Sequence, residues 1–167
     1  MRKRLLAVSI IILFAGLTGW LIIEASRPEV LPIGSSLPEI KYVSLSGNDA
    51  LKTDTTKETM IIYFNSECEH CKYELRQLNE NIDKFKNIKI YLFTIEKDFF
   101  KKSVMKELNE LYKAKNISFG IVDKSEYENK FGSMVTPSIF LFDYSNKLIK
   151  KIRGEMKIES LLKDLKT

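Results

Sequence analysis

The segment Asn65-Ser66-Glu67-Cys68-Glu69-His70-Cys71-Lys72-Tyr73-Glu74 (residues 65–74, NSECEHCKYE) holds both cysteines and the only histidine of the chain. Three glutamates share the same stretch. Immediately before it, Met60-Ile61-Ile62-Tyr63-Phe64 is a compact apolar run, β-branched at its centre, which predicts a strand buried on both faces. Immediately after it, Leu75, Leu78, Ile82 and Phe85 recur at helical spacing. The cysteines therefore fall where a buried strand gives way to an amphipathic helix.

Four chemistries compete for a pair spaced Cys-x-x-Cys. A structural zinc site needs about four ligands; two cysteines and one histidine fall short, so no metal is expected. A c-type haem needs histidine directly after the second cysteine; Lys72 stands there. A static crosslink closing only two intervening residues removes little chain entropy and is a poor staple. A reactive dithiol fits the position better. Cys68 is expected in the first turn of the helix, where free backbone N–H groups and the helix dipole favour a thiolate. Cys71, one turn later, is placed to attack a mixed disulfide formed at Cys68. Ser66-x-x-Glu69 reads in addition as a capping box.

Working outward, Ile40 to Leu45 predicts a short strand followed by a turn at Ser46-Gly47-Asn48-Asp49. Ile88 to Ile95 and Ile117 to Val122 predict two more strands, with a second amphipathic helix marked by Phe100, Val104, Leu108 and Leu111 between them. Residues 138–142 and 148–152 form a hairpin around Tyr144-Ser145-Asn146. Ile158, Leu161, Leu162 and Leu165 mark a closing helix. Alternating strands and helices demand parallel pairing, and the hairpin adds antiparallel strands. The expected fold is α/β, a mixed central sheet flanked by helices.

The beginning of the chain differs. Leu5 to Ile23 is a run of 19 residues without a charge, long enough as a helix to reach roughly 28 Å, close to the hydrocarbon thickness of a bilayer. Arg2, Lys3 and Arg4 precede it and Glu24 follows, so the positive-inside rule places everything after it on the far side of a membrane. A cleaved signal peptide competes, but its apolar region is usually about 7–15 residues long and ends in a small-x-small site; Ile23-Glu24-Ala25 puts a large residue there. Residues 1–23 are therefore expected to be an anchor or signal segment. Residues 24–33, with Pro28 and Pro32, form a spacer, and residues 34–167 one domain. The first three basic residues supply three of the five net positive charges. The remainder is close to balance, with no Arg-rich patch interleaved with aromatics, and nucleic acid is not an expected partner.

Strand, Cys-x-x-Cys at a helix start, strand, helix, and later Thr136-Pro137 opening a strand together resemble the thioredoxin fold across residues 34–167. The apolar leader, the opening IGSSLPEIKYVSLSG and the stretch FGSMVTPSIFLFDYSNKLIKKIRG resemble one branch more closely. That branch is the membrane-anchored extracytoplasmic thiol–disulfide oxidoreductases, including the thioredoxin-like reductases of cytochrome c maturation. The resemblance implies that Cys68 is the nucleophile and Cys71 resolves. Pro137 would be a cis proline facing the dithiol, with Thr136 pairing its backbone to an extended substrate segment. Glu74, six residues after Cys68, would exchange a proton with a cysteine thiol; the competing reading is a solvated helix residue.

The chain also departs from the pattern. Glu67 replaces the tryptophan that precedes the first cysteine in thioredoxins, Ile62 replaces a buried aspartate, and Glu69-His70 replaces Gly-Pro. Maturation reductases carry Glu-Pro, so Glu69 agrees with them and His70 does not. Glu67 and Glu69 are expected to raise the pKa of Cys68 and favour a reducing couple, whereas a protonated His70 would do the reverse. The direction of electron flow is left open, with reduction favoured. The implied protein is enzymatic and needs no small cofactor. Its partners are exported protein thiols or disulfides, a membrane electron donor, and the membrane through residues 5–23. Its soluble domain lies on the periplasmic or outer-surface side. The rival reading is a binding module of the same fold, with the cysteines as a static bond.

Overall fold

A computed structural model describes residues 2–25, 29–132 and 134–165; the side chains of residues 2–8, 22–25 and of Val104 lie outside the described ones. The first helix, α1, is Arg2–Ala25. Its described side chains include exposed Ile10, Ile11, Ile12, Leu13, Phe14, Leu17, Trp20 and Leu21. Among the described residues no helix is long and apolar enough to cross a membrane, and both ends of the expected 5–23 span lie outside the described side chains.

The remaining elements are β1 (Lys41–Ser44), β2 (Gly47–Ala50), β3 (Glu58–Tyr63), α2 (Glu69–Glu80), β4 (Ile88–Thr94), α3 (Val104–Glu107), α4 (Asn109–Lys113), β5 (Ile117–Val122), α5 (Lys124–Phe131), β6 (Ser138–Phe142), β7 (Leu148–Arg153) and α6 (Ile158–Asp164). The strands form one sheet in the order β2-β1-β5-β4-β3-β6-β7. β3, β4 and β5 run parallel, and the other pairings are antiparallel. This is the expected mixed sheet.

β3 lies near the centre because both of its faces are apolar. Met60, Ile62 and Phe64 join a core with Leu75, Leu78, Phe85, Phe99 and Leu161 on one side of the sheet. Ile61 and Tyr63 join Tyr91, Phe93, Tyr127 and Phe131 on the other. Each such side chain, fully buried, contributes about 1.5–3 kcal/mol. On β5, Gly120 leaves room for Tyr42 of β1: a Cβ there would stand 2.5 Å from the tyrosine ring.

Several expectations are corrected. The first turn is Leu45-Ser46, and Gly47–Ala50 pairs back as β2, with Gly47 at φ +116°. The helix after the cysteines stops at Glu80: the Asn81 side chain donates to the carbonyl of Gln77 at 2.8 Å, and Ile82–Phe85 continue as a 3₁₀ turn. The second helix is broken into a 3₁₀ turn at Phe99–Lys101 followed by α3 and α4. A further helix, α5, covers the opposite face of the sheet. Its local signals are plain: Asp123 accepts from the amide of Glu126 as N-cap, Tyr127 and Phe131 are buried four residues apart, and Gly132 ends it at φ +86°.

Candidate active site

The carboxyl end of β3 turns sharply into α2. The side chain of Asn65 accepts from the amide of Glu67 at 2.7 Å, and the Asn65 carbonyl accepts from the amide of Cys68 at 3.2 Å. Cys68 itself is the N-cap of α2, in extended conformation, and its Sγ accepts from the Cys71 amide at 3.4 Å. It thus stands one position before the first turn, and the expected Ser66/Glu69 capping box does not form because a sulfur caps the helix two residues later. Ser66 is instead buried and held by distant groups. Its amide donates to Glu96 Oε1 at 2.8 Å, and its hydroxyl accepts from Lys102 Nζ at 2.8 Å. Lys102 Nζ also lies 3.3 Å from Glu96 Oε2.

The two thiols differ in kind. Cys68 is half-buried and its thiol donates to the Thr136 carbonyl at 3.8 Å. Burial pushes its pKa up, but hydrogen bonds from the Cys71 thiol and amide, the Thr136 side chain and the His70 amide outweigh this, so the pKa falls below the ordinary thiol range. Cys71 is fully buried, and burial pushes its thiol up to about 12. Stabilisation of one anion at the cost of its neighbour is the asymmetry a nucleophile and a resolving thiol need. The Thr136–Pro137 peptide bond is cis. The following residue, Ser138, begins β6 and pairs with Tyr63 at the end of β3, which brings the Thr136 carbonyl to Cys68.

The charged residues around the cysteines are each engaged. Glu67 pairs with Lys102 at 3.0 Å and Glu69 with Lys72 at 2.8 Å. His70 Nδ1 lies 3.0 Å from Glu155 Oε2, and that contact raises the histidine pKa. Cys68 shifts downward, opposite to the rise expected from the two glutamates, whose charges lysines answer.

Glu74 is not a solvated helix residue. It is only 1% exposed, on the same buried side of α2 as Cys71. Its Oε2 accepts from the Met156 amide at 2.9 Å, and its Oε1 has no hydrogen-bond partner among the described residues. Burial raises its pKa to about 7, with the charge of Glu155 adding and the Met156 amide opposing. Glu96, Lys102, Glu155 and Met156 escaped the sequence reading because each lies far along the chain from the motif it touches. Among the described residues no group of three or more His, Cys, Asp or Glu side chains gathers as a metal site would require. A cleft of about 310 Å³ beside the start of α2 is lined by Ser66, Glu67, Lys72, Arg76, Lys102 and Glu107. A larger cavity of about 760 Å³, bordered by Lys57, Lys89 and Asn116, lies at the opposite ends of the strands, away from the dithiol.

Comparison with known proteins agrees with this geometry. The chain is 26% identical to thiol-disulfide oxidoreductase ResA of Bacillus cereus (strain ATCC 10987 / NRS 248), over 98% of this chain and 95% of that protein. A thiol:disulfide interchange protein from Bacteroides sp. superposes with a TM-score of 0.61 at 21% identity, covering 80% of this chain and 88% of that one. A peroxiredoxin-like protein from Aquifex aeolicus superposes with a TM-score of 0.65 at 15% identity, covering 82% and 86%; at such identities the two structures share the fold alone. Residues 49–167 match the thioredoxin-like domain family, and the chain belongs to that family.

Proposed function

We propose that the chain is a protein thiol–disulfide oxidoreductase, tethered to a membrane by residues 5–23, that reduces disulfides of exported proteins through Cys68 and Cys71. The observation that carries this reading is the opposed environment of the two sulfurs: one half-exposed and acidified at a helix cap, the other buried and held protonated. The likeness to proteins named thiol-disulfide oxidoreductase ResA supports it. The tether is supported by the uncharged run from Leu5 to Ile23 and the three basic residues before it.

The Cys68 thiolate attacks a substrate disulfide, forming a mixed disulfide and releasing the first substrate thiolate. Cys71 then loses its proton and attacks Cys68 Sγ, releasing the second. Two electrons pass to the substrate and the Cys68–Cys71 disulfide remains, to be reduced again by a membrane electron donor. Glu74, one turn beyond Cys71 and with a pKa of about 7, exchanges the Cys71 proton; matching of pKa to working pH is what makes such a group effective. The half-buried Thr136 offers backbone to an extended substrate beside Cys68. Glu67, Glu69 and His70 set the local charge.

The test is trapping. Cys71→Ser should accumulate mixed disulfides with exported proteins through Cys68, and Cys68→Ser should neither trap nor turn over a disulfide substrate. Turnover retained by Cys68→Ser would end this reading. A couple well below about −300 mV, with sulfurs closed to alkylation, would point instead to a static bond in a binding module.

A further inference from the structure

Three consecutive residues after β7 each hold a different part of the site. The amide of Gly154 donates to the Pro137 carbonyl at 2.8 Å. Glu155 Oε2 lies 3.0 Å from His70 Nδ1, within the pair between the cysteines. The amide of Met156 donates to Glu74 Oε2 at 2.9 Å. Gly154 sits at φ +93°, a conformation that L side chains rarely adopt, and the next two residues meet the first two turns of α2 at His70 and Glu74.

We propose that Gly154-Glu155-Met156 is a strap that fixes the cis-proline loop, the dithiol helix and the buried carboxyl relative to one another, and that Glu155 is a positioning residue through which His70 and Glu74 sense each other's protonation. The proposal deepens the oxidoreductase reading and rests on it for its catalytic meaning. Its geometry stands independently.

The His70–Glu155 pair is solvent-exposed, with side chains 72% and 44% accessible. Such a pair adds little to stability, so its role lies in local field and orientation. Among the described residues, the charged groups that act on His70 are Glu155 and Cys68, and the one that acts on Glu74 is Glu155. The Glu155 anion favours imidazolium on one side and a protonated carboxyl on the other. A proton arriving at His70 places a positive charge 3.0 Å from the Glu155 carboxylate that offsets its field, and Glu74 then ionises more readily. The two titrations therefore oppose each other, and the buried acid sheds its proton more easily when the exposed histidine is charged.

The experiment uses the full-length reduced protein in detergent micelles, with NMR titration of the imidazole and of the Glu74 carboxyl carbon. The chain has a single histidine, so its signal needs no assignment. Glu155→Gln should move both midpoints to lower pH, and Glu155→Asp should restore them in part. His70→Gln should move the Glu74 midpoint the other way, to higher pH, since Glu155 then stays uncompensated. Turnover profiles of the same variants should shift their acid limb with Glu74. Unmoved midpoints in Glu155→Gln, or a Glu74 midpoint indifferent to His70→Gln, would overturn the strap's coupling. Midpoints that move in a protein without disulfide turnover would count against the oxidoreductase reading and leave the coupling standing.

Discussion

Cys68 Sγ lies 3.8 Å from the carbonyl oxygen of Thr136, a residue 68 positions later in the chain and the one that precedes the cis proline. The contact ties the nucleophile candidate to the loop that faces it. Several outcomes can be measured from this arrangement and its supports.

Alkylation should separate the two cysteines. Iodoacetamide at neutral pH should label Cys68 of the reduced protein, while Cys71 reacts only after unfolding. The rate should rise through a midpoint below the ordinary thiol value of about 8.5, since the Cys68 thiol is acidified and the Cys71 thiol is pushed up to about 12. Equal labelling of both, read by mass spectrometry, would contradict the asymmetry.

Glu74 makes stability depend on pH. Its folded pKa of about 7 lies above the ordinary carboxyl value of 4.5, so the folded state binds the extra proton. The stability this contributes is complete below about pH 4.5 and is lost as pH rises through about 7. Glu74→Gln keeps an acceptor for the Met156 amide and carries no charge. It should be more stable than the parent at pH 8 by about 1–3 kcal/mol, with little difference at pH 4.5, as read by urea unfolding. Disulfide turnover should fall by about 10²-fold or more if the carboxyl moves the resolving proton.

The clamp behind Ser66 supports the whole junction. Glu96→Ala removes the acceptor of the Ser66 amide and a partner of Lys102. A buried donor left without an acceptor costs about 1–3 kcal/mol. Both the unfolding midpoint and the Cys68 alkylation rate should drop. Glu96→Gln, which can still accept from the Ser66 amide, should recover most of the stability.

Tyr127 offers a substitution with the opposite sign. Its ring stacks on Tyr63 at 4.5 Å and on Phe131 at 4.7 Å between centroids, yet its buried hydroxyl has no hydrogen-bond partner among the described residues. Tyr127→Phe keeps both stacks and removes the desolvated oxygen. Thermal unfolding should show a gain of about 1 kcal/mol, and a loss of that size would mean that the hydroxyl has a partner.

The sequence by itself determined the strand-to-helix junction, the buried centre of the sheet and the order of most elements. Those depend on local facts: β-branched residues in an unbroken apolar run, helical spacing after the cysteines, and turn residues in the final hairpin. Signals that were local but short were read less well. The hairpin of β1 and β2 hides in a polar stretch, and α5 occupies only eight residues, too few for a strong period.

Only the tertiary structure decided the state of the site. Whether Glu74 meets solvent or a dry interior depends on where Met156 and its strap pass. Whether Glu67, Glu69 and His70 act as bare charges depends on Lys102, Lys72 and Glu155, and two of these three partners come from other elements. Burial and Coulomb attraction are properties of neighbours in space, and spacing along the chain does not specify them. The motif therefore announced a dithiol, and the fold assigned each sulfur its ionisation.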